Sequence, residues 1–204
     1  MKHNPTSENR PPPSLEGTFD LVAFAASAGG LNALSRVLSN LPANFPAAIA
    51  IVQHLDPQHR SLMADILSRR TSLSVKQAEE GDRATPGTIY IAPPNYHLLA
   101  NGDRTLSLTQ TELVHFVRPS ADWLFNSVAA SYQNRAIAVV LTGMGNDGIA
   151  GVQTIKQRGG IVIAQDKESS KYFAMPNAAI ETGSVNFILP LSNIASTLVA
   201  LVMQ

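Results

Sequence analysis

Three apolar runs of strand length, 21–26, 47–52 and 136–141, constrain this chain more than any other feature. None alternates with polar residues, so each suits a strand buried on both faces, as in a parallel sheet with helices on either side. Each run also ends abruptly. The first stops at Ser27 and passes through Ala28-Gly29-Gly30 into a helix-like segment, the second stops at Gln53-His54, and the third at Thr142-Gly143-Met144-Gly145-Asn146-Asp147-Gly148. Strands of a parallel sheet share a direction, so residues just past their carboxyl ends gather along one rim, where sites of open α/β sheets form. Ser27, His54 and Asp147 are therefore expected as neighbours.

The remaining pattern points to an α/β fold: a single domain, doubly wound, with a mainly parallel sheet and an antiparallel hairpin excursion. Residues 31–38 place Leu31, Leu34 and Leu38, with Leu41 at the edge, on one face of an amphipathic helix that Pro42 ends. Residues 61–70 read as a second helix with Leu62, Ile66 and Leu67 inward and Arg69-Arg70 in its last turn. A short strand at 89–92 stops at Pro93-Pro94-Asn95. In the hairpin, Leu98-Leu99 and Leu106-Ser107-Leu108 flank a turn where Asn101-Gly102 supplies positive φ angles. Ser120 is the expected N-cap of a helix over 121–132, with Trp123, Leu124, Ser127 and Val128 on one side. A helix over 149–158 ends at Gly159-Gly160, strands follow at 161–164 and 187–189 around a short segment at 175–180, and a terminal helix covers 194–203. The domain is expected to span 19–204, after a polar, disordered tail at 1–18 that carries Pro11-Pro12-Pro13.

A hydroxyl, an imidazole and a carboxylate on one rim supply what acyl transfer requires: a nucleophile, a base, and a group that fixes the base's tautomer. Each residue also has a plainer reading. Ser27 suits a helix cap, His54 a hydrogen-bonded core histidine, and the glycine loop a tight turn. Asp56 and Asp166 also lie beyond strand ends, but Gly143, Gly145 and Gly148 favour Asp147, because they let a carboxylate and backbone N–H groups approach a substrate together. His54, Asp56 and His59 offer metal-ligand types at a spacing that fits no familiar site. His97 and His115 fall in or near predicted loops and are read as surface groups. The loop from Gly143 to Gly148 also matches G-x-G-x-x-G between a strand and a helix, with Asp166 beyond. Dinucleotide binding is thus a competing reading, although it would set the Asp147 carboxylate against a pyrophosphate and leave Ser27 and His54 without a role. A binding-only signalling adaptor on the same fold is a third.

Charge and cysteine content exclude several classes. Fifteen basic and 15 acidic residues give a formal net charge of zero, hence no electrostatic footprint for nucleic acid or an anionic membrane. The most apolar late segment, 194–203, carries Ser196 and Thr197 and falls well short of the roughly 20 residues of a membrane span. Residues 1–17 lack the apolar core of a signal peptide. Without cysteine there are no disulfides or thiolate metal sites, which fits a reducing, cytoplasmic setting.

Four ordered motifs resemble the CheB-type protein-glutamate methylesterases, chemotaxis enzymes that demethylate receptors: Ala26-Ser27-Ala28-Gly29-Gly30, Val52-Gln53-His54, Leu141-Thr142-Gly143-Met144-Gly145-Asn146-Asp147-Gly148, and Ala164-Gln165-Asp166 followed by Met175-Pro176. Arg118-Pro119-Ser120 with Asp122 is similar as well, and the likeness covers about 19–203. Residue by residue, the resemblance implies Ser27 as nucleophile, His54 as general base and acid, Asp147 as its orienting carboxylate, and the backbone N–H groups of Met144 and Ala28 as oxyanion donors. It implies no metal or organic cofactor, a methylated receptor-like protein with a helical cytoplasmic segment as substrate, and glutamine deamidation by the same route. Two positions depart from the family pattern: Ala25 stands where glycine is usual before the nucleophile's turn, and Ala28 where many members have threonine. Gln53-His54-Leu55-Asp56-Pro57 and Ala92-Pro93-Pro94-Asn95 look most like methylesterase domains fused to a receptor methyltransferase. In multidomain relatives a receiver domain covers the site until phosphorylated. None is seen in this sequence, so the expectation is constitutive activity, with control from a separate regulatory or methyltransferase protein.

Overall fold

The computed structural model describes residues 19–54, 61–114 and 116–203. The tail at 1–18, together with Asp56, His59 and His115, lies outside the described residues.

The first apolar run becomes β1 (Leu21–Ala26), buried along its whole length. Val22, Phe24 and Ala26 face one core while Leu21, Ala23 and Ala25 face another, as side-chain alternation along a strand requires. Two parallel neighbours flank it, β2 (Ala48–Gln53) and β7 (Ala136–Val140), with Ala26 opposite Gln53 and Ala25 opposite Val140. The full sheet adds β3 (Ser74–Gln77), β4 (Thr88–Ile91), β8 (Ile161–Gln165) and β9 (Phe187–Leu189) in the order β3-β4-β2-β1-β7-β8-β9, and every pairing in it is parallel. A separate antiparallel pair, β5 (His97–Ala100) and β6 (Leu106–Thr109), forms the hairpin.

Helices cover both faces, so the sheet is doubly wound. On one face α1 (Gly30–Leu38), α2 (Met63–Ser68) and α6 (Leu191–Val202) close the core around Phe24, Ile49 and Ile51. On the other, α3 (Ala121–Tyr132), α4 (Ile149–Gln157), α5 (Ala174–Glu181) and the hairpin pack over Ala23, Ala50 and Val140. The chain winds outward from β1 through β2, then returns to begin β7 on β1's other side. The helix after β1 and the helix after β7 therefore leave on opposite faces, and a crevice opens between the carboxyl ends of these two strands. Among the described residues no helix is long and apolar enough to cross a membrane.

Several local expectations are corrected. In α1 the buried side is Ala33, Leu34, Val37 and Leu38, while Leu31 is on the exposed side. In α2 the i,i+4 pair Met63 and Leu67 is buried, leaving Leu62 57% exposed and Ile66 exposed as well, so the inward face sits one residue from the expected one. Helical side chains lean toward the N-terminus, and which member of an apolar cluster meets the core depends on where the helix docks. The hairpin turn takes its positive φ at Arg104 (68°) instead of at Asn101-Gly102, because Asp103 Oδ1 accepts from both the N–H and the Oγ1 of Thr105 and shapes a longer loop. Strand β3 leaves no mark in the sequence pattern. Its half-exposed, largely polar residues carry little apolar signal.

Candidate active site

The parallel ladders continue one step beyond their strands. Ser27 N–H donates to the Thr142 carbonyl at 3.1 Å and His54 N–H to the Ala26 carbonyl at 3.1 Å, which sets Ser27 between the ends of β2 and β7. Ala25, which departs from the family's glycine, is regular strand here, its carbonyl accepting Leu141 N–H at 2.9 Å. The turn finds its positive φ later, at Gly29 (79°), the N-cap of α1.

Gln53 ties the first two residues together. Its Nε2 donates to the carbonyls of Ser27 (2.8 Å) and His54 (3.1 Å), so one side chain fixes both backbones. Its Oε1 is buried without a partner among the described residues and lies against Gly30, where a Cβ would come within 2.1 Å of Oε1 and 2.7 Å of Ala26 Cβ. Gly30→Ala is accordingly expected to displace Gln53 and to cost about 1–3 kcal/mol of stability, as overpacking does. Urea midpoints would check this, and an unchanged midpoint with unchanged turnover would remove Gln53 from the account.

Asp147 is more deeply held than the other two, with a side chain only 3% exposed. Oδ2 receives His54 Nε2 at 2.8 Å and Ala121 N–H at 2.5 Å, while Oδ1 receives Ser120 Oγ at 2.6 Å and Asp122 N–H at 3.3 Å. The carboxylate thus occupies the N-terminus of α3, where unpaired N–H groups and the helix dipole favour an anion. Burial alone would raise its pKa. Hydrogen bonds from His54, Ser120 and Ala121 outweigh that and hold it below the ordinary carboxylate value.

The glycine loop is braced from behind. Gln165 Oε1 accepts Thr142 N–H at 2.9 Å, and Thr142 Oγ1 accepts Tyr172 N–H at 2.9 Å while lying 3.1 Å from the Ala28 carbonyl. Gly143 N–H is spent on the Tyr172 carbonyl at 2.9 Å, whereas the N–H groups of Met144 and Ala28 reach no acceptor among the described residues. A cavity of about 150 Å³ opens beside His54, lined by Asn95, Leu113, Phe116, Val117, Arg118 and Pro119. Arg118 forms part of its wall, donating through Nε and Nη2 to Asn95 Oδ1 (3.0 and 2.6 Å) and through Nη1 to the carbonyls of Gln110 and Thr111 (2.9 and 2.6 Å).

Ser27, His54 and Asp147 thus meet on one rim, His54 and Asp147 directly and Ser27 through the strand register. Asp166 does not join them: its carboxylate accepts from Ser169 N–H and Oγ, closing a turn after β8. The metal-ligand set of His54, Asp56 and His59 cannot be placed, since two of its members lie outside the described residues. His97, expected at the surface, is fully buried on β5 between Glu112 and Ser120, because its ring nitrogens find partners in both. Gln53 and Gln165 carry no role in the sequence reading, although each stands inside a motif named above, and Ser120, read there as an N-cap, also serves Asp147.

The CheB methylesterase family profile matches residues 22–198. The chain belongs to that family. A crystal structure titled as the Thermotoga maritima CheB methylesterase catalytic domain superposes with a TM-score of 0.87 at 38% identity, covering 91% of this chain and 100% of that one. A Pyrococcus abyssi relative named protein-glutamate methylesterase/protein-glutamine glutaminase is 42% identical over 87% of this chain, which spans only 49% of the relative's length. A Leptospira interrogans relative is 38% identical over 90% of this chain and is itself spanned over 95%. Membership places the chain among carboxylic ester hydrolases of the CheB type and does not favour the dinucleotide reading of the glycine loop.

Proposed function

We propose that this chain is a serine hydrolase that removes methyl esters from glutamate side chains on a helical cytoplasmic segment of a chemoreceptor-like protein, and that it deamidates glutamine by the same route. The observation that carries the reading is the 2.8 Å pairing of His54 Nε2 with a buried, ionised Asp147 beside Ser27. A carboxylate only accepts, so Nε2 bears the proton and Nδ1 is the free lone pair.

In this reading Ser27 Oγ attacks the ester carbonyl carbon and its proton passes to His54 Nδ1. Asp147 stabilises the imidazolium that forms. The carbonyl oxygen becomes an oxyanion held by the N–H groups of Met144 and Ala28, which have no acceptor among the described residues, each worth roughly 3 kcal/mol in the transition state. Collapse breaks the bond to the methoxy oxygen, which takes the proton from Nδ1 and leaves as methanol. Water then attacks the acyl-serine with His54 as base, releasing the glutamate carboxylate and restoring Ser27. With amide in place of ester, ammonia leaves instead. These groups complete the cycle without calling on a cofactor.

A fluorophosphonate probe tests the nucleophile. Stoichiometric labelling that peptide mapping assigns to Ser27, blocked by prior incubation with a methylated receptor fragment, is the expected result. Absence of labelling, or a label on another residue, would favour an adaptor on the same fold.

A further inference from the structure

The carboxylate beside His54 is itself held by a second imidazole, one step removed. His97 is fully buried on β5; its Nδ1 accepts Ser120 N–H at 3.1 Å and its Nε2 lies 3.0 Å from the Glu112 carbonyl. An amide N–H only donates and a carbonyl only accepts, so the tautomer is dictated: Nδ1 bare, Nε2 protonated. Trp123 packs against the ring with centroids 5.5 Å apart. Burial draws the imidazole below its ordinary pKa, and the nearby Arg118 charge acts in the same direction against the opposing pull of the Glu112 carbonyl and of Asp147. The ring therefore stays neutral and keeps its acceptor nitrogen.

Ser120, the residue this acceptor grips, is the N-cap of α3. Its hydroxyl accepts Asp122 N–H at 3.2 Å and donates to Asp147 Oδ1 at 2.6 Å. A chain of contacts, buried at its centre, thus runs from the Glu112 carbonyl through His97, Ser120 and Asp147 to His54.

We propose that His97 is a positioning residue for ester hydrolysis: by holding the Ser120 backbone it aligns the cradle at the start of α3, and so the plane in which Asp147 meets His54. This rests on the reading of Asp147 as the carboxylate partner of the base. A carboxylate displaced by about 1 Å loses on the order of a hundredfold in rate.

Two substitutions separate positioning from core filling, since both remove the ring. Asparagine carries an oxygen near the position of Nδ1 and can still accept Ser120 N–H. Glutamine carries its amide near the position of Nε2 and leaves nothing at Nδ1. His97→Gln is expected to lower kcat about a hundredfold with little change in KM. His97→Asn is expected to keep kcat within several-fold of wild type, with KM unchanged. An active His97→Asn beside an impaired or unfolded His97→Gln supports positioning. Equal loss in both, or full activity in both, overturns it. Asp147→Asn is measured alongside. If that variant alone keeps wild-type turnover, the carboxylate reading has failed, an outcome distinct from failure of the His97 step.

Discussion

Ser27→Ala is expected to reduce methanol release from a methylated receptor fragment by about a millionfold in kcat, while thermal stability stays near wild type. The structure explains why the two effects separate. The hydrogen bonds at Ser27 run through its backbone: the N–H to Thr142, the carbonyl from Gly30 N–H and from Gln53 Nε2. Alanine keeps all of them. His54→Ala is expected to fall comparably, and the double variant to be little worse than either single one, because the residues act as a unit. Losses that multiply independently would argue against shared chemistry, and wild-type turnover in Ser27→Ala would end the nucleophile assignment.

Asp147→Asn is expected to cost about 10⁴ in kcat, the scale seen when a base loses the carboxylate that fixes its tautomer. Stability should fall too, by about 1–3 kcal/mol, since the donors at the start of α3 and Ser120 Oγ lose an anionic acceptor. The sign of the pH dependence follows from the lowered pKa. In the window between the folded and unfolded values the unfolded chain binds more protons, so this stabilisation is complete above the ordinary carboxylate range and disappears as pH falls through the depressed folded value. Urea midpoints of wild type and variant should therefore differ at neutral pH and converge in acid. A gap that stays constant down to the acid limit would show that the ionised carboxylate is not what is lost.

The strands that build the rim were legible because burial on both faces leaves an uninterrupted apolar run, as in β1, β2, β7 and β8. Parallel register then carries Ser27 and His54 to adjacent places without further information. What stayed hidden depends on contacts between distant segments. Leu31, Leu62 and Ile66 look like core residues in a periodic pattern, yet docking turns a neighbouring face inward. Polar, half-exposed β3 has too weak an alternation to announce itself. His97 sits in a short hairpin strand among small and apolar residues, and nothing local distinguishes a buried imidazole with two partners from a surface one. Ser120 was readable as an N-cap, but that its hydroxyl also serves Asp147 requires the loop after β7 to arrive beside it.

Strand β1 is paired on one side by β2, a near neighbour in the chain, and on the other by β7, and the bond from Thr142 Oγ1 to the Ala28 carbonyl joins residues 114 apart. Closing so long a loop is slow, because its entropy must be met before the contacts that compensate it exist. Gln53 and Ala28 stand beside Ser27 and His54 from the start, whereas the glycine loop, the Asp147 carboxylate and the brace at Gln165 come from chain made after that closure. A partly folded chain holds a serine and a histidine side by side, yet it lacks the Asp147 carboxylate and the Met144 N–H that the proposed mechanism requires. On the proposed mechanism, the site of a newly made chain is therefore incomplete until β7 has docked beside β1.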